Sequence, residues 1–233
     1  MIDKILKELK SKKNPVDAGI LSWFFKTGKG QYGEGDVFWG IRVPVIREIV
    51  KKFKEASLKD VQELLDSKVH EHRLTGLLIL VERYKQKENK KEIYDFYLKN
   101  TKNINNWDLV DLTAPNIVGN FLLEKKKERK ILYSLVKSSN LWERRISILS
   151  TFTLLRNKEY EDTLKLSKIL LNDKHDLIHK AVGWMLRELG KRDKAIEIEF
   201  LEKHCKVMPR TMLRYSLEKF DVKEREKYMK KGA

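Results

Sequence analysis

Asp111-Leu112-Thr113-Ala114 has three counterparts in this 233-residue chain. Arg73-Leu74-Thr75-Gly76 precedes it; Arg145-Ile146-Ser147-Ile148 and Lys180-Ala181-Val182-Gly183 follow. Their first residues stand 38, 34 and 35 positions apart. Each segment lies early in an apolar helical stretch that follows another helical stretch, so the repeating unit is a pair of helices. One such pair cannot bury its apolar faces alone. Neighbouring pairs therefore stack, with equivalent helices lining one concave surface. The spacing predicts an all-α fold, an α-solenoid in which Arg73, Asp111, Arg145 and Lys180 form a row along that surface. Three of the four are cationic.

Outward from these anchors the helical period persists. Ile2, Ile5, Leu6 and Leu9 follow the i, i+3, i+4, i+7 rule, and Val61, Leu64, Leu65 and Ile93, Phe96, Tyr97 follow parts of it. Pro15, Pro44 and Pro209 stand where helices should begin, the position that tolerates a missing N–H. Pro115 interrupts an apolar pattern and should kink or restart its helix. No stretch alternates as a β-strand does. The reading is a single helical domain over 1–233, broken by a glycine-rich loop at about 27–41.

That loop reads TGKGQYGEGDVFWGI and holds five of the eleven glycines. Residues 28–33 spell G-x-G-x-x-G, but a dinucleotide site needs a strand before it and a helix at once after it. Here a helical pattern precedes, and Arg42 and Pro44 open the next helix only later. A mobile loop offering backbone N–H groups and Lys29 to phosphate is the better expectation.

Lys and Arg number 50 against 34 Asp and Glu, a net charge of +16. With 41% hydrophobic residues the chain has enough apolar matter for a core and is no disordered polycation. An excess of that size would self-repel without a polyanionic partner, and nucleic acid is the obvious one. Few glycines and prolines and a lone Cys205 exclude collagen-like and disulfide scaffolds. The opening residues MIDKILKELKSKKN lack the apolar run of a secretion signal, and no segment is long and apolar enough to span a bilayer. A soluble cytoplasmic protein, associated with the nucleoid when on DNA, is expected.

Asp111 is the anomaly of the row, because an acid on a phosphate-binding surface weakens binding and needs a reason. Trp107 lies four residues before it on the same helix face. Trp184 follows Lys180 by four, and Trp142 precedes Arg145 by three. Aromatic and cationic side chains interleaved in this way suit the faces and phosphates of a nucleic acid. Simpler readings stand beside these: Trp142 as core, Asp108 as a cap or the partner of a lysine, and Asp111 as the ion-pair partner of Arg145. His70-x-His72 and the His175/His179 pair lack the further ligands of a metal site and read as solvated or capping residues. Cys205 reads as a small buried hydrophobe. No cofactor or metal is expected.

Trp107-Asp108-Leu109-Val110-Asp111, Leu141-Trp142-Glu143-Arg144-Arg145 and Ala181-Val182-Gly183-Trp184-Met185-Leu186-Arg187-Glu188, in this order, resemble the AlkD-type DNA alkylation repair glycosylases. The resemblance covers most of the chain, including Gly40-Ile41-Arg42-Val43-Pro44 and the helix after it. It implies an α-solenoid of HEAT-like repeats and excision of N3- and N7-alkylated purines, such as 3-methyladenine and 7-methylguanine, without base flipping. Asp111 then corresponds to the catalytic carboxylate, Trp107 and Trp184 to aromatics packing on the lesion's deoxyribose, and Arg145 to a cation beside the phosphate. Arg42, Arg47, Arg73, Lys180 and Arg187 are the further cations expected to contact double-stranded DNA. Relatives also use an aromatic hydroxyl on the second helix. Here that stretch is Ser22-Trp23-Phe24-Phe25, so Trp23 or Phe24 supplies a packing surface without a phenol. The competing reading is a non-catalytic helical-repeat protein that recognises damaged or branched DNA. A monomer is the expected state.

Overall fold

The computed structural model describes residues 1–86 and 89–231 and contains helices and turns, with one isolated parallel bridge between Val37 and Val69. The all-helical, helical-repeat class read from the sequence is the class observed. The chain forms two compact units, residues 1–113 and 114–233.

The first unit is built from α1 (Ile2–Ser11), α2 (Pro15–Phe24), α3 (Val43–Lys52), α4 (Leu58–Leu65), α5 (His70–Lys85), α6 (Lys90–Lys99) and α7 (Trp107–Asp111). α5 is its axis: 13 of its 16 residues are buried, which accounts for its weak amphipathicity. α3 and α4 pack on it with Ile46, Ile49, Val61, Leu64 and Leu65, all virtually inaccessible to solvent. Pro15 is the first residue of α2, which Asn14 caps by accepting from the Val16 and Asp17 N–H groups. α2 has no buried residue, and Val16, Ile20, Trp23 and Phe24 are all exposed.

The second unit opens on a π turn (Pro115–Gly119), where the expected proline irregularity is found. It continues through α8 (Asn120–Glu124), α9 (Lys130–Leu135), α10 (Leu141–Arg156), α11 (Glu161–Leu170), α12 (Asp176–Gly190), α13 (Lys194–His204), α14 (Arg210–Ser216) and α15 (Val222–Lys231). α10 and α12 pack together at its centre, and α14 lies close against α12. That approach requires Gly183, since a Cβ there would meet the Met212 carbonyl oxygen and the Tyr215 Cβ at 2.5 Å. Trp142 and Cys205 are core residues, as expected. His175 caps α12, its Nδ1 accepting from the Leu177 N–H at 3.1 Å.

One buried acid sits uneasily in this unit. The Glu197 carboxyl on α13 is pressed against Gly190, and its Oε1 finds no hydrogen-bond partner. Burial pushes its pKa up to about 8. In the unfolded chain the group ionises near 4.5, so stability falls as pH rises between about 4.5 and about 8. Glu197→Gln should remove this slope and raise stability by about 2–3 kcal/mol at pH 8, measured by urea denaturation across that range. An unchanged slope would show that Glu197 is not its source.

Candidate functional site

In the first unit, Asn106 starts α7 by accepting from the Trp107 N–H at 2.8 Å. Five residues later the helix ends at Asp111, where the Thr113 N–H turns to the Val110 carbonyl and the Thr113 hydroxyl donates to the Leu109 carbonyl in its place. Trp107 and Asp111 are both half-buried, so each keeps part of its surface open. Thr113, just past Asp111, hydrogen bonds at 2.9 Å to the hydroxyl of the fully buried Tyr97. Burial pushes the Tyr97 phenol well above its usual range, and the Asp111 carboxylate adds to the shift. The carboxylate is thus within electrostatic reach of that hydroxyl.

Trp107 belongs to a column of rings. It stacks on Phe25 at 5.1 Å and 17°, Phe25 stacks on Phe38 at 5.0 Å and 18°, and Phe38 stacks on His70 at 4.5 Å and 21°. Phe24 meets Trp107 edge-on at 6.0 Å and remains half exposed. Beside the column lies a mostly apolar cleft of about 400 Å³, lined among others by Phe24, Phe25, Phe38, Arg42, His70 and Asp108. Sequence reasoning missed Phe25, Phe38 and His70 because they come from separate segments that meet only in the fold.

At the C-terminal end of the glycine loop the N–H groups are occupied by a protein anion: the buried Glu71 carboxylate accepts from Trp39, Gly40 and Ile41 at 2.8–3.1 Å. In its N-terminal part the Gly28 and Gly30 N–H groups donate to the side chains of Gln31 and Glu34. Trp39 lies under the Lys13 ammonium and edge-on to His72. Gly40 has a φ of +80°, and a Cβ there would fall 2.0 Å from the Asn14 carbonyl oxygen. The C-terminal half of the loop is structural.

Asp108 accepts the Leu109 N–H within the first turn of its own helix, in keeping with a capping role, and its charged partner is His70 at 2.8 Å rather than a lysine. Asp36 from the loop holds His70 Nδ1 at 3.4 Å and the Arg73 guanidinium at 2.8 Å. Arg73 is therefore no surface cation: it is 4% exposed and also donates to the Ser67 carbonyl. Arg145 in the second unit is likewise 4% exposed, with one guanidinium nitrogen on the Leu177 carbonyl. Both ride on core helices and reach backbone carbonyls, which leaves little of either guanidinium open to a phosphate. Arg145→Ala should lower stability by about 2–4 kcal/mol through stranded polar groups. Thermal unfolding checks it, and an unaltered midpoint paired with weakened DNA binding would restore the surface role.

Of the remaining cations, Arg42, Arg47 and Lys180 are accessible. Arg47 is exposed with no ion pair among the described residues, Arg42 is exposed and holds Asp17 through two nitrogens, and Lys180 pairs with Asp176 at 2.7 Å. Arg187 is half-buried and paired with Glu218. In the second unit Trp184 is half-buried and leans on Phe152 at 5.9 Å. The Arg156 and Arg192 guanidinium groups stand over the Phe152 ring at 5.6 and 5.9 Å, an aromatic and cationic cluster the sequence pattern did not reveal. Among the described residues no group of three or more His, Cys, Asp or Glu side chains could hold a metal ion, and no helix is long and apolar enough to cross a membrane.

The family model described as DNA alkylation repair enzyme matches residues 5–220. The chain belongs to the DNA alkylation repair enzyme family. Its fold is also that of a structure described as a predicted DNA alkylation repair enzyme from Enterococcus faecalis, with a TM-score of 0.72, 18% identity, and coverage of 91% of this chain and 98% of that one. No curated protein sequence matches the chain. The family assigns a role in the repair of alkylated DNA and agrees with the basic composition.

Proposed function

We propose that this member of the DNA alkylation repair family is an AlkD-type glycosylase that releases cationic N3- and N7-alkylated purines from double-stranded DNA by hydrolysing the N-glycosidic bond. The observation that carries the reading is Asp111, a part-accessible carboxylate four residues after the half-buried Trp107 on one short helix, in a chain with a net charge of +16.

An N-alkylated purine is already positively charged, so it leaves as a neutral base and needs no general acid. Positive charge then develops on the deoxyribose, an oxocarbenium-like state as in glycoside hydrolysis. A preorganised carboxylate facing that sugar stabilises the charge and orients the attacking water. The Trp107 face adds cation–π attraction of about 0.5–2 kcal/mol. One carboxylate suffices for this chemistry, and the base need not leave the stack. Trp184, with Phe152, is proposed as a stacking residue of the second unit, and Arg42, Arg47, Lys180 and Arg187 as phosphate contacts. The exposed ion pairs at Arg42 and Lys180 cost little to exchange for phosphate.

The test is chromatography of free base after incubation with methylated duplex DNA, together with affinity across salt. Free 3-methyladenine or 7-methylguanine is expected, with an affinity falling at a log–log slope near −0.9 for each neutralised phosphate. Salt-dependent binding without release would instead establish the non-catalytic reading. Trp184→Ala should slow release by about 10-fold, the loss of one stacking contact; unfolding of this variant would make Trp184 a packing residue.

A further inference from the structure

His70 and Asp108 have no part in the chemistry proposed above for Asp111. Both lie at the end of the aromatic column, and the contacts close a ring. From Trp107 the stack runs through Phe25 and Phe38 to His70, and His70 Nε2 returns at 2.8 Å to Asp108, the residue next to Trp107. We propose that His70 is a positioning residue, whose ring, stacked under Phe38 and bound to Asp108, sets the placement of Trp107 and with it the presentation of Asp111.

Stability alone does not account for this arrangement. His70 is 2% exposed and is the first residue of α5, where the helix dipole disfavours a cation. A buried ion pair is commonly no more stable than well-packed apolar residues of the same volume. The charged groups facing the ring are Asp108 from α7, Asp36 from the loop and Arg73 from α5 itself, while Glu71 and Arg42 line the same cleft. Burial and Arg73 oppose protonation, but the two carboxylates outweigh them and hold the pKa up at about 9. The imidazolium therefore persists at neutral pH and is lost as pH rises through about 9. Deprotonation weakens the bond to Asp108 and loosens α7, a helix of only five residues.

The proposal rests on the glycosylase reading for its catalytic consequence but not for its structural one, and two measurements keep them apart. In the first, single-turnover base release is followed from pH 6.5 to 10 for wild type and His70→Gln. Gln keeps an N–H donor for Asp108 but neither ring nor charge. Wild type should lose rate along an alkaline limb centred near 9. The variant should lack this limb, run about 10- to 100-fold slower at neutral pH, and keep its DNA affinity within about 2-fold. An alkaline limb that survives in the variant overturns the proposal. The second uses free wild-type protein, so it holds even if the variant does not fold. The Trp107 indole N–H resonance, assigned with Trp107→Phe, should move with the His70 ring resonances at one shared midpoint. A Trp107 resonance indifferent to His70 ionisation overturns the proposal whatever the enzyme does. If wild type releases no base, the glycosylase reading falls and the Trp107 titration still decides the positioning role.

Discussion

Asp111→Asn should bind methylated duplex DNA at least as tightly as wild type and release base about 100- to 1,000-fold more slowly. The size follows from removing one preorganised electrostatic partner of a developing charge, worth about 3–4 kcal/mol of barrier. The direction of the affinity change follows from charge: the variant removes an anion from a protein with a net charge of +16 and leaves the side-chain shape unchanged. Single-turnover base release and equilibrium binding on the same DNA separate the two effects. Equal release by both proteins would remove Asp111 from the chemistry. Equal loss of binding and release would make it a structural residue.

The second large effect is on stability. Glu71→Ala should destabilise the protein by about 3–5 kcal/mol, as three N–H groups of the glycine loop lose their shared acceptor. Glu71→Gln should cost less, about 1–2 kcal/mol, because its amide oxygen can take the place of Oε1, which accepts from all three. Urea denaturation gives both values, and near-UV circular dichroism of the Trp39 region reports whether the loop detaches. An alanine variant as stable as wild type would show that the nest around Glu71 does not hold the loop.

These two cases mark where the sequence could be read and where it could not. Helix pairs declare themselves by a local period, so the anchors at Arg73, Arg145 and Lys180 fall early in α5, α10 and α12. The period says which face of a helix is shared, but not which anchors are covered. Arg73 and Arg145 satisfied the same spacing as Lys180, yet they lie on largely buried helices and reach across to carbonyls of other segments. The anchoring of the glycine loop was hidden for a related reason. The glycines marked a loop, but not the anion at its C-terminal end, since Glu71 lies 30–32 residues from Trp39, Gly40 and Ile41 on a helix where it resembles an ordinary first-turn acid. The ring column was illegible because Phe25, Phe38, His70 and Trp107 come from four separate segments and meet only once the loop folds back. Trp107 and Asp111 were legible because four residues on one helix fix their common side without tertiary information.

The chemistry proposed for Asp111 depends on a leaving group that departs neutral without a proton donor. The most direct test is mass-spectrometric detection of free base from two duplexes that differ at one position, 7-methylguanine in one and the uncharged lesion hypoxanthine in the other. Free 7-methylguanine and an abasic site are expected from the first, and no release from the second. Comparable release of hypoxanthine, or no release from either duplex, would contradict this chemistry.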